Sequence, residues 1–329
     1  MTKNQWILVI LGLFIAIVTP LMLSNEITIR DQQNTTELNS DLSASCTAGV
    51  KAAKDDAVGK YLYRSEEARK NAVAAFFQNF ASCISVDDTT DMYYVARYYV
   101  PCIAMVDYDG YYIMYAKSYR DGNGKYQYTD MITPKQSWTQ TYGDYVVTYS
   151  LNDNIHVDMK SCNDRYSGNY NTVYQNIAED HNTDAIKFMA DKENFAAEKN
   201  TTVISLLNEK ISYYIETHNS FHNTAGLHYD FTMPQTDKDY EAKMLEKPCF
   251  LAFSQGQQAP AGVDYMNIYA IANTEIKDDT IYYMETDADG IIYYHKKDCT
   301  HKGDVNDLKS GTMDECAASG ADPCPYCVR

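Results

Sequence analysis

Basic side chains are scarce in this sequence of 329 residues. It contains 28 Lys and Arg against 45 Asp and Glu, which gives a formal net charge of −17 at pH 7. The acidic residues are spread along the chain and are not gathered in a tail. A nucleic-acid-binding protein needs a basic face to neutralise phosphates, so this composition argues against nucleic acid as a partner.

Several motifs that would indicate an enzyme are also missing. The sequence has no glycine-rich phosphate loop, no dinucleotide fingerprint and no G-x-S-x-G nucleophile elbow. Carboxylates such as Asp87, Asp88 and Asp91 are plentiful, but their spacing singles out no acid–base pair, and a solvated acidic face is the simpler interpretation. The sequence therefore favours a protein that is not an enzyme and has no catalytic residues.

Only one long hydrophobic run is present, from Trp6 to Leu23, and no second one follows it. At 1.5 Å per residue in a helix the run would span roughly 27 Å, about the thickness of a bilayer core. Lys3 precedes the run, Glu26 and Asp31 follow it, and no A-x-A cleavage site is evident. The pattern predicts a transmembrane signal-anchor over 1–24, with the N-terminus in the cytoplasm and the rest outside, in a single-pass protein of the cell membrane. A cleaved signal peptide is the alternative.

The chain after this run predicts an α+β fold. We expect a linker and helical stalk over 25–83, an extracytoplasmic α+β domain over 84–278 and a small module over 279–329. A helix should open at Ser65, and hairpins are predicted at 100–117 and 145–159, which implies an antiparallel sheet. The longest helical pattern runs from Asp184 to about His222, with 200–202 as a candidate break, and should pack on that sheet.

Four residues near the C-terminus have the spacing of a metal site. His295 and Cys299 are separated by three residues, and Cys324 and Cys327 by two. Imidazole and thiolate ligands in this arrangement can close a tetrahedral site around Zn²⁺, which would stabilise a module that has little core of its own. The alternative is that the three cysteines form disulfides, but His295 has no use in a disulfide framework.

This C-terminal stretch of about 45 residues resembles the zinc-binding domain of Ada-type DNA-repair proteins. The resemblance rests on Tyr294-His295-x3-Cys299, followed by Ala317, Gly320 and Pro323-Cys324-x2-Cys327. In that family all four ligands are cysteines, and the first accepts a methyl group from DNA. Because His295 occupies that position here and an imidazole cannot act as a zinc-activated thiolate, the resemblance implies a structural zinc ion without methyl transfer.

The whole chain also resembles membrane-anchored proteins of Gram-positive bacteria that are associated with pilus-like or conjugative machinery. The resemblance rests on the stretch from Val100-Pro101 through Val106-Asp107-x2-Gly110 and on the Tyr-His-x3-Cys tail. It implies a structural or interaction subunit at the cell surface with protein partners. The processing signal of type IV pilins is absent. A ligand-binding ectodomain similar to extracytoplasmic sensor domains is the alternative, and it would need a separate signalling partner.

Three histidines mimic a catalytic zinc motif. His218, His222 and His228 have the offsets of the metzincin signature, in which a glutamate follows the first histidine as general base. Here that position is Asn219, and the turn glycine, Gly226, comes one place late. Histidines at the end of a helix are the simpler interpretation. A zinc hydrolase remains a second alternative, and it would need a glutamate such as Glu216 or Glu241 within reach.

The remaining cysteines and two acidic turns complete the set of candidate sites. Asp107, Asp109 and Gly110, and likewise Asp287, Asp289 and Gly290, are interpreted as plain turns in preference to calcium loops. Six cysteines lie outside the zinc motif and could form up to three disulfides in an oxidising compartment: Cys46, Cys83, Cys102, Cys162, Cys249 and Cys316.

Overall fold

The computed structural model describes residues 35–58, 60–83, 96–124, 126–224, 244–245, 247–258, 265–274, 280–287, 291–303 and 308–328. In these residues the chain forms three β-sheets with helices packed around them. Every strand pairing is antiparallel except one short parallel pair in the third sheet. The predicted α+β class is therefore confirmed.

The first sheet has five strands in the order β3-β2-β1-β8-β9. Their bounds are β1 Cys102–Asp107, β2 Gly110–Arg120, β3 Tyr126–Ile132, β8 Cys249–Gln258 and β9 Tyr265–Asn273. All six residues of β1 are buried, and the five apolar ones, 102–106, alternate between two separate cores on the two faces of the sheet. A strand covered on both faces carries a continuous apolar run, which is why 102–106 shows no polar alternation.

One face of this sheet is covered by two helices, α1 over 35–54 and α2 at Glu66–Cys83. Phe76 of α2 packs on Phe250 of β8 with ring centroids 5.5 Å apart. The Ser65 hydroxyl accepts a hydrogen bond from the Ala68 N–H at 2.9 Å, as an N-cap does, so α2 begins where the sequence predicts. The segment interpreted as a stalk thus shares a core with the five-stranded sheet.

The second sheet has four strands in the order β4-β5-β6-β7. They are β4 Trp138–Tyr142, β5 Tyr145–Tyr149, β6 Asn154–Met159 and β7 Arg165–Asn169, and α3 follows at Tyr170–Asp180. Both predicted hairpins exist, but β1–β2 and β5–β6 belong to different sheets, so the expectation of one sheet was wrong. Hairpin signals are local, whereas the assignment of a hairpin to a sheet depends on partners far away in sequence, such as β8 for β1.

The long helix α4, Lys192–Thr224, packs on both of these sheets and shares their core. A separate 3₁₀ helix occupies Asp184–Ala190. The division falls at Asp191, whose Oδ1 accepts hydrogen bonds from the Glu193 and Asn194 N–H groups at 3.0 and 2.9 Å. The candidate break at 200–202 was wrong: the Thr201 hydroxyl donates to the Ala197 carbonyl at 2.8 Å, so the side chain is satisfied within a continuous helix.

The third sheet forms the C-terminal module. Its order is β12-β10-β11-β13, with β10 Tyr282–Thr286, β11 Ile292–His295, β12 Lys309–Gly311 and β13 Asp322–Pro323. Helix α5, Met313–Ala318, lies between β12 and β13 and opens with a capping box between Thr312 and Glu315. No helix in the described part of the chain is both long and apolar enough to cross a membrane, and the run from Trp6 to Leu23 lies outside that part.

Candidate metal centre

The four predicted ligands come together at one point in the C-terminal module. The ligand atoms of His295, Cys299, Cys324 and Cys327 all lie within 4.8 Å of one another. The Cys299 Sγ is 3.4 Å from the His295 Nδ1 and 4.0 Å from the Cys324 Sγ. With bonds of about 2.3 Å to sulfur and 2.1 Å to nitrogen, the edges of a tetrahedral zinc site would be about 3.6–3.8 Å. The cluster thus has the dimensions to hold a metal ion.

A short parallel strand pair brings the two halves of the cluster together. β11 pairs with β13 in the register Tyr293↔Asp322 and Tyr294↔Pro323, so His295 and Cys324 leave their strands side by side. The Cys324 N–H also donates to the Tyr294 carbonyl at 3.1 Å. This pairing places ligands that are far apart in sequence next to each other.

The surroundings shift the pKa values of the ligands in different directions: those of Cys324 and His295 are lowered, whereas burial and the neighbouring thiols raise that of Cys327 to about 12. His295, Cys299 and Cys324 are buried, and Cys327 is half-buried. Burial raises the pKa of the Cys324 thiol, but the N–H groups of Tyr326 and Cys327 and the neighbouring thiols hold the pKa below its usual value. Burial also lowers the pKa of His295, which favours the neutral imidazole that binds metals. The Lys296 N–H points at the Cys327 Sγ at 3.3 Å. All four ligands come from the chain, so the site has no open position.

Arg64 joins the module to the rest of the protein. Its guanidinium donates to the Val328 carbonyl at 2.9 Å and to Asp109 Oδ2 at 2.8 Å, and it lies 3.6 Å from the centroid of the Tyr61 ring. Tyr61 in turn belongs to the hydrophobic core of the module. Neither residue was singled out in the sequence, because nothing local marks them as contacts of a segment more than two hundred residues away.

The first acidic turn is structural, as predicted. Asp107 and Gly110 pair across the β1–β2 hairpin, and the Asp107 carboxylate accepts hydrogen bonds from the Tyr63 and Leu62 N–H groups at 2.9 and 3.3 Å. Asp109 pairs with Arg64 and with Lys135. These carboxylates therefore fix the segment that carries Arg64. Of the second acidic turn, Asp289 and Gly290 lie outside the described residues.

The module also rests on the second sheet. Gly320 ends α5 with a φ of +82°, and a Cβ at this position would lie 2.6 Å from the Ser167 carbonyl oxygen of β7. The glycine therefore serves both the left-handed backbone and the close approach.

Of the three histidines with metzincin spacing, the structure describes the side chain of His218. His218 is buried, and its Nδ1 lies 3.0 Å from the Gln255 Nε2, which also donates to Asn219 Oδ1 at 2.7 Å. The side chain of His222 and all of His228 lie outside the described residues. Among the residues described, His218 belongs to no cluster of potential metal ligands.

The expected disulfides are not formed. All nine cysteines are described, and all are free. Cys46 and Cys102 lie in the two cores on opposite faces of the five-stranded sheet. Cys249 pairs with Val106, at the other end of β1 from Cys102. Burial raises the pKa of each of these three thiols, that of Cys249 to about 12, so they remain protonated in the core.

A second group of potential ligands, Cys162, Asp164 and His181, lies in the described chain away from the C-terminal module. Apart from the presence of Cys162, no sequence pattern indicates this group, because His181 follows at a distance typical of no metal motif. Comparisons with protein-family models, with curated proteins and with solved structures found no match to this chain.

Proposed function

We propose that this protein is a membrane-anchored extracytoplasmic structural or interaction subunit whose C-terminal module is held together by a structural Zn²⁺ ion. The observation that carries the proposal is the closed group of one imidazole and three thiols. It offers no open coordination position for a substrate or a water, which fits a metal that stabilises and does not catalyse.

The donor set supports zinc as the metal. Soft thiolates together with an imidazole, in a cluster of tetrahedral dimensions, suit Zn²⁺ better than Mg²⁺ or Ca²⁺, which prefer oxygen ligands. His295 would bind through Nδ1, the nitrogen that faces Cys299. The resemblance of the ligand spacing to the Ada-type zinc domain agrees with this choice.

The membrane anchor and the surface role rest on the sequence. The uncharged run from Trp6 to Leu23 and the charges on either side of it support a single span with the folded part outside. The resemblance to pilus- or conjugation-associated proteins supports a partner at the cell surface. The strongly acidic chain makes nucleic acid an unsuitable partner.

The zinc centre can be tested on the full chain, purified in detergent without added metal. We expect about one tightly held equivalent of zinc in the wild type and in a Cys83→Ser control, which removes a thiol remote from the cluster, and none in a His295→Ala, Cys299→Ala variant. Metal content that is unchanged in the double variant would overturn the assignment.

The topology is tested by adding protease to intact cells: digestion of everything after residue 24 agrees with the proposal, and full protection contradicts it.

A cavity of about 420 Å³ favours the ligand-binding ectodomain as a second candidate function. It lies between α2 and the edge strand β3, and Glu66, Arg69, Asp130 and Thr133 line it. This volume falls in the range of small-molecule sites. If the protein is a sensor of this kind, Arg69→Ala should abolish binding of a small ligand and leave the zinc content unchanged.

A further inference from the structure

A cysteine, an aspartate and a histidine meet at one end of the second sheet, outside the C-terminal module. The Asp164 Oδ2 lies 3.0 Å from the Cys162 Sγ and 3.3 Å from the His181 Nε2. All three ligand atoms lie within 4.8 Å of one another. These are close to the distances of about 3.5 Å that separate ligand atoms around one zinc ion.

The backbone holds these three side chains in place. Cys162 and Asp164 sit in the tight turn between β6 and β7, which is closed by a hydrogen bond of 3.1 Å from the Met159 N–H to the Asp164 carbonyl. His181 caps the C-terminus of α3, and its N–H donates to the Ile177 carbonyl at 2.9 Å. A strand turn and a helix cap, both anchored in the core, therefore hold the group together.

The group differs from the C-terminal centre because it is open on one side. The Asp164 side chain is about half exposed, and His181 also lines an open cleft of about 350 Å³. The cleft is also lined by two apolar side chains, Met159 and Tyr145, and by two carboxylates, Asp144 and Asp184. Nearby carboxylates raise the local concentration of cations, so the cleft favours a metal ion and disfavours an anion.

We propose that Cys162, Asp164 and His181 form a second metal site, which takes a Zn²⁺ ion and leaves at least one coordination position for water in the cleft. Three chain ligands with an open position are the arrangement of catalytic zinc sites, whereas four ligands close a structural one. On binding, the Cys162 thiol releases its proton to solvent and its sulfur bonds to the metal, the carboxylate of Asp164 binds through oxygen, and neutral His181 binds through Nε2. The mixed sulfur, oxygen and nitrogen set suits zinc or cobalt.

The experiment uses the full chain in detergent, purified without added metal so that zinc is retained by the four-ligand centre and not by the more weakly binding three-ligand site, and then titrated with Co²⁺. A cobalt ion bound by a thiolate gives a charge-transfer band in the near ultraviolet, so the band reports on Cys162 directly. We expect the band in the wild type and in the Cys83→Ser control, and no band in Cys162→Ser. Because loss of even an outer-shell partner weakens metal binding by about 10–100-fold, loss of a ligand in His181→Ala should weaken the cobalt affinity by more than about tenfold.

Two results would overturn the second site. One is a wild type without the band at saturating cobalt. The other is a band that survives Cys162→Ser and disappears in the His295→Ala, Cys299→Ala variant, because the cobalt would then occupy the C-terminal centre. The zinc content measured before the titration reports on the closed centre alone, so failure of one site is distinguishable from failure of the other. Unchanged circular dichroism of the Cys162→Ser variant, whose side chain lies in a surface turn, verifies its fold.

Discussion

The five-stranded sheet and the C-terminal module are stabilised in different ways. The sheet is buried on both faces, by α1 and α2 on one side and by α4 with the second sheet on the other. The module has a small core made of a few aromatic and apolar side chains, such as Tyr282, Tyr294 and Met313. Three of its buried residues, His295, Cys299 and Cys324, belong to the metal cluster. A small unit buries too little apolar surface to be stable alone, so a metal can supply what the core does not.

This contrast predicts that removing the metal affects one region and spares the other. In Cys324→Ser, or after strong chelation, we expect residues 292–328 to lose hydrogen-exchange protection while β1, β2 and β8 keep theirs. Structural zinc sites have apparent binding free energies of about 10–16 kcal/mol, more than the stability of a small domain, so the local effect should be the largest of all the changes considered. Equal protection of 292–328 with and without metal would show that the module folds on its core alone.

The reverse experiment removes a core side chain from the sheet. The Phe76 ring lies 5.1 Å from Phe77 and 5.5 Å from Phe250, and the residue is fully buried. Phe76→Ala should lower the free energy of unfolding by about 3–5 kcal/mol in urea denaturation and leave the zinc content unchanged. Tyr119→Ala, at a half-exposed ring, is the matched control, with an expected change within about 0.5 kcal/mol. A fall in zinc content of Phe76→Ala in native conditions would contradict the independence of the two regions.

The stability of the contact between the five-stranded sheet and the C-terminal module should depend on pH through Asp107. Burial and the neighbouring Asp109 raise the pKa of Asp107 from 3.8 to about 6, although three backbone N–H groups oppose the shift. The folded state then binds this proton more tightly than the unfolded state, so the contribution of Asp107 to stability falls as pH rises from about 4 to 6, by about 3 kcal/mol at most.

Urea denaturation at pH 4 and pH 7 measures this effect. The difference in unfolding free energy between wild type and Asp107→Asn should move in favour of the variant as pH rises, because asparagine does not titrate. If that difference stays constant across the interval, Asp107 has the same pKa in the folded and unfolded states and the expectation is wrong.

The smallest expected effect concerns the contact between the regions. Arg64→Ala removes the hydrogen bonds to Val328 and Asp109, and charged hydrogen bonds of this kind contribute about 1.5–3 kcal/mol. We expect faster hydrogen exchange in 292–328 with the zinc retained. Lys70→Ala is the control, since Lys70 forms an exposed, solvent-screened pair with Glu66 and its removal should leave the exchange rates of 292–328 unchanged. Equal exchange rates in wild type and Arg64→Ala would show that other contacts hold the module in place.

Local signals were the ones that could be interpreted correctly from the sequence. Ser65 and the glutamates after it marked the start of α2, and the Asp109–Gly110 turn marked the first hairpin, because caps and turns depend on neighbouring residues. The Asn200-Thr201-Thr202 stretch suggested a helix break, but α4 is continuous there because the Thr201 hydroxyl is hydrogen-bonded within the helix. The division between the 3₁₀ helix and α4 at Asp191 was not predicted. Disulfides were expected from the number of cysteines, but all nine are free. Cys46 and Cys102 lie on opposite faces of the five-stranded sheet, and Cys249 lies at the other end of β1 from Cys102.

The sequence by itself determined the identities and spacings of His295, Cys299, Cys324 and Cys327, because the two ligands of each pair are only four or three residues apart in the chain. Only the tertiary structure joined the two pairs, through the parallel pairing of β11 with β13. It alone placed Arg64 against Val328 and brought His181 to Cys162 and Asp164. The physical reason is the same in each case: contacts across long stretches of chain depend on how the sheets and helices pack, and no local pattern of residues encodes them.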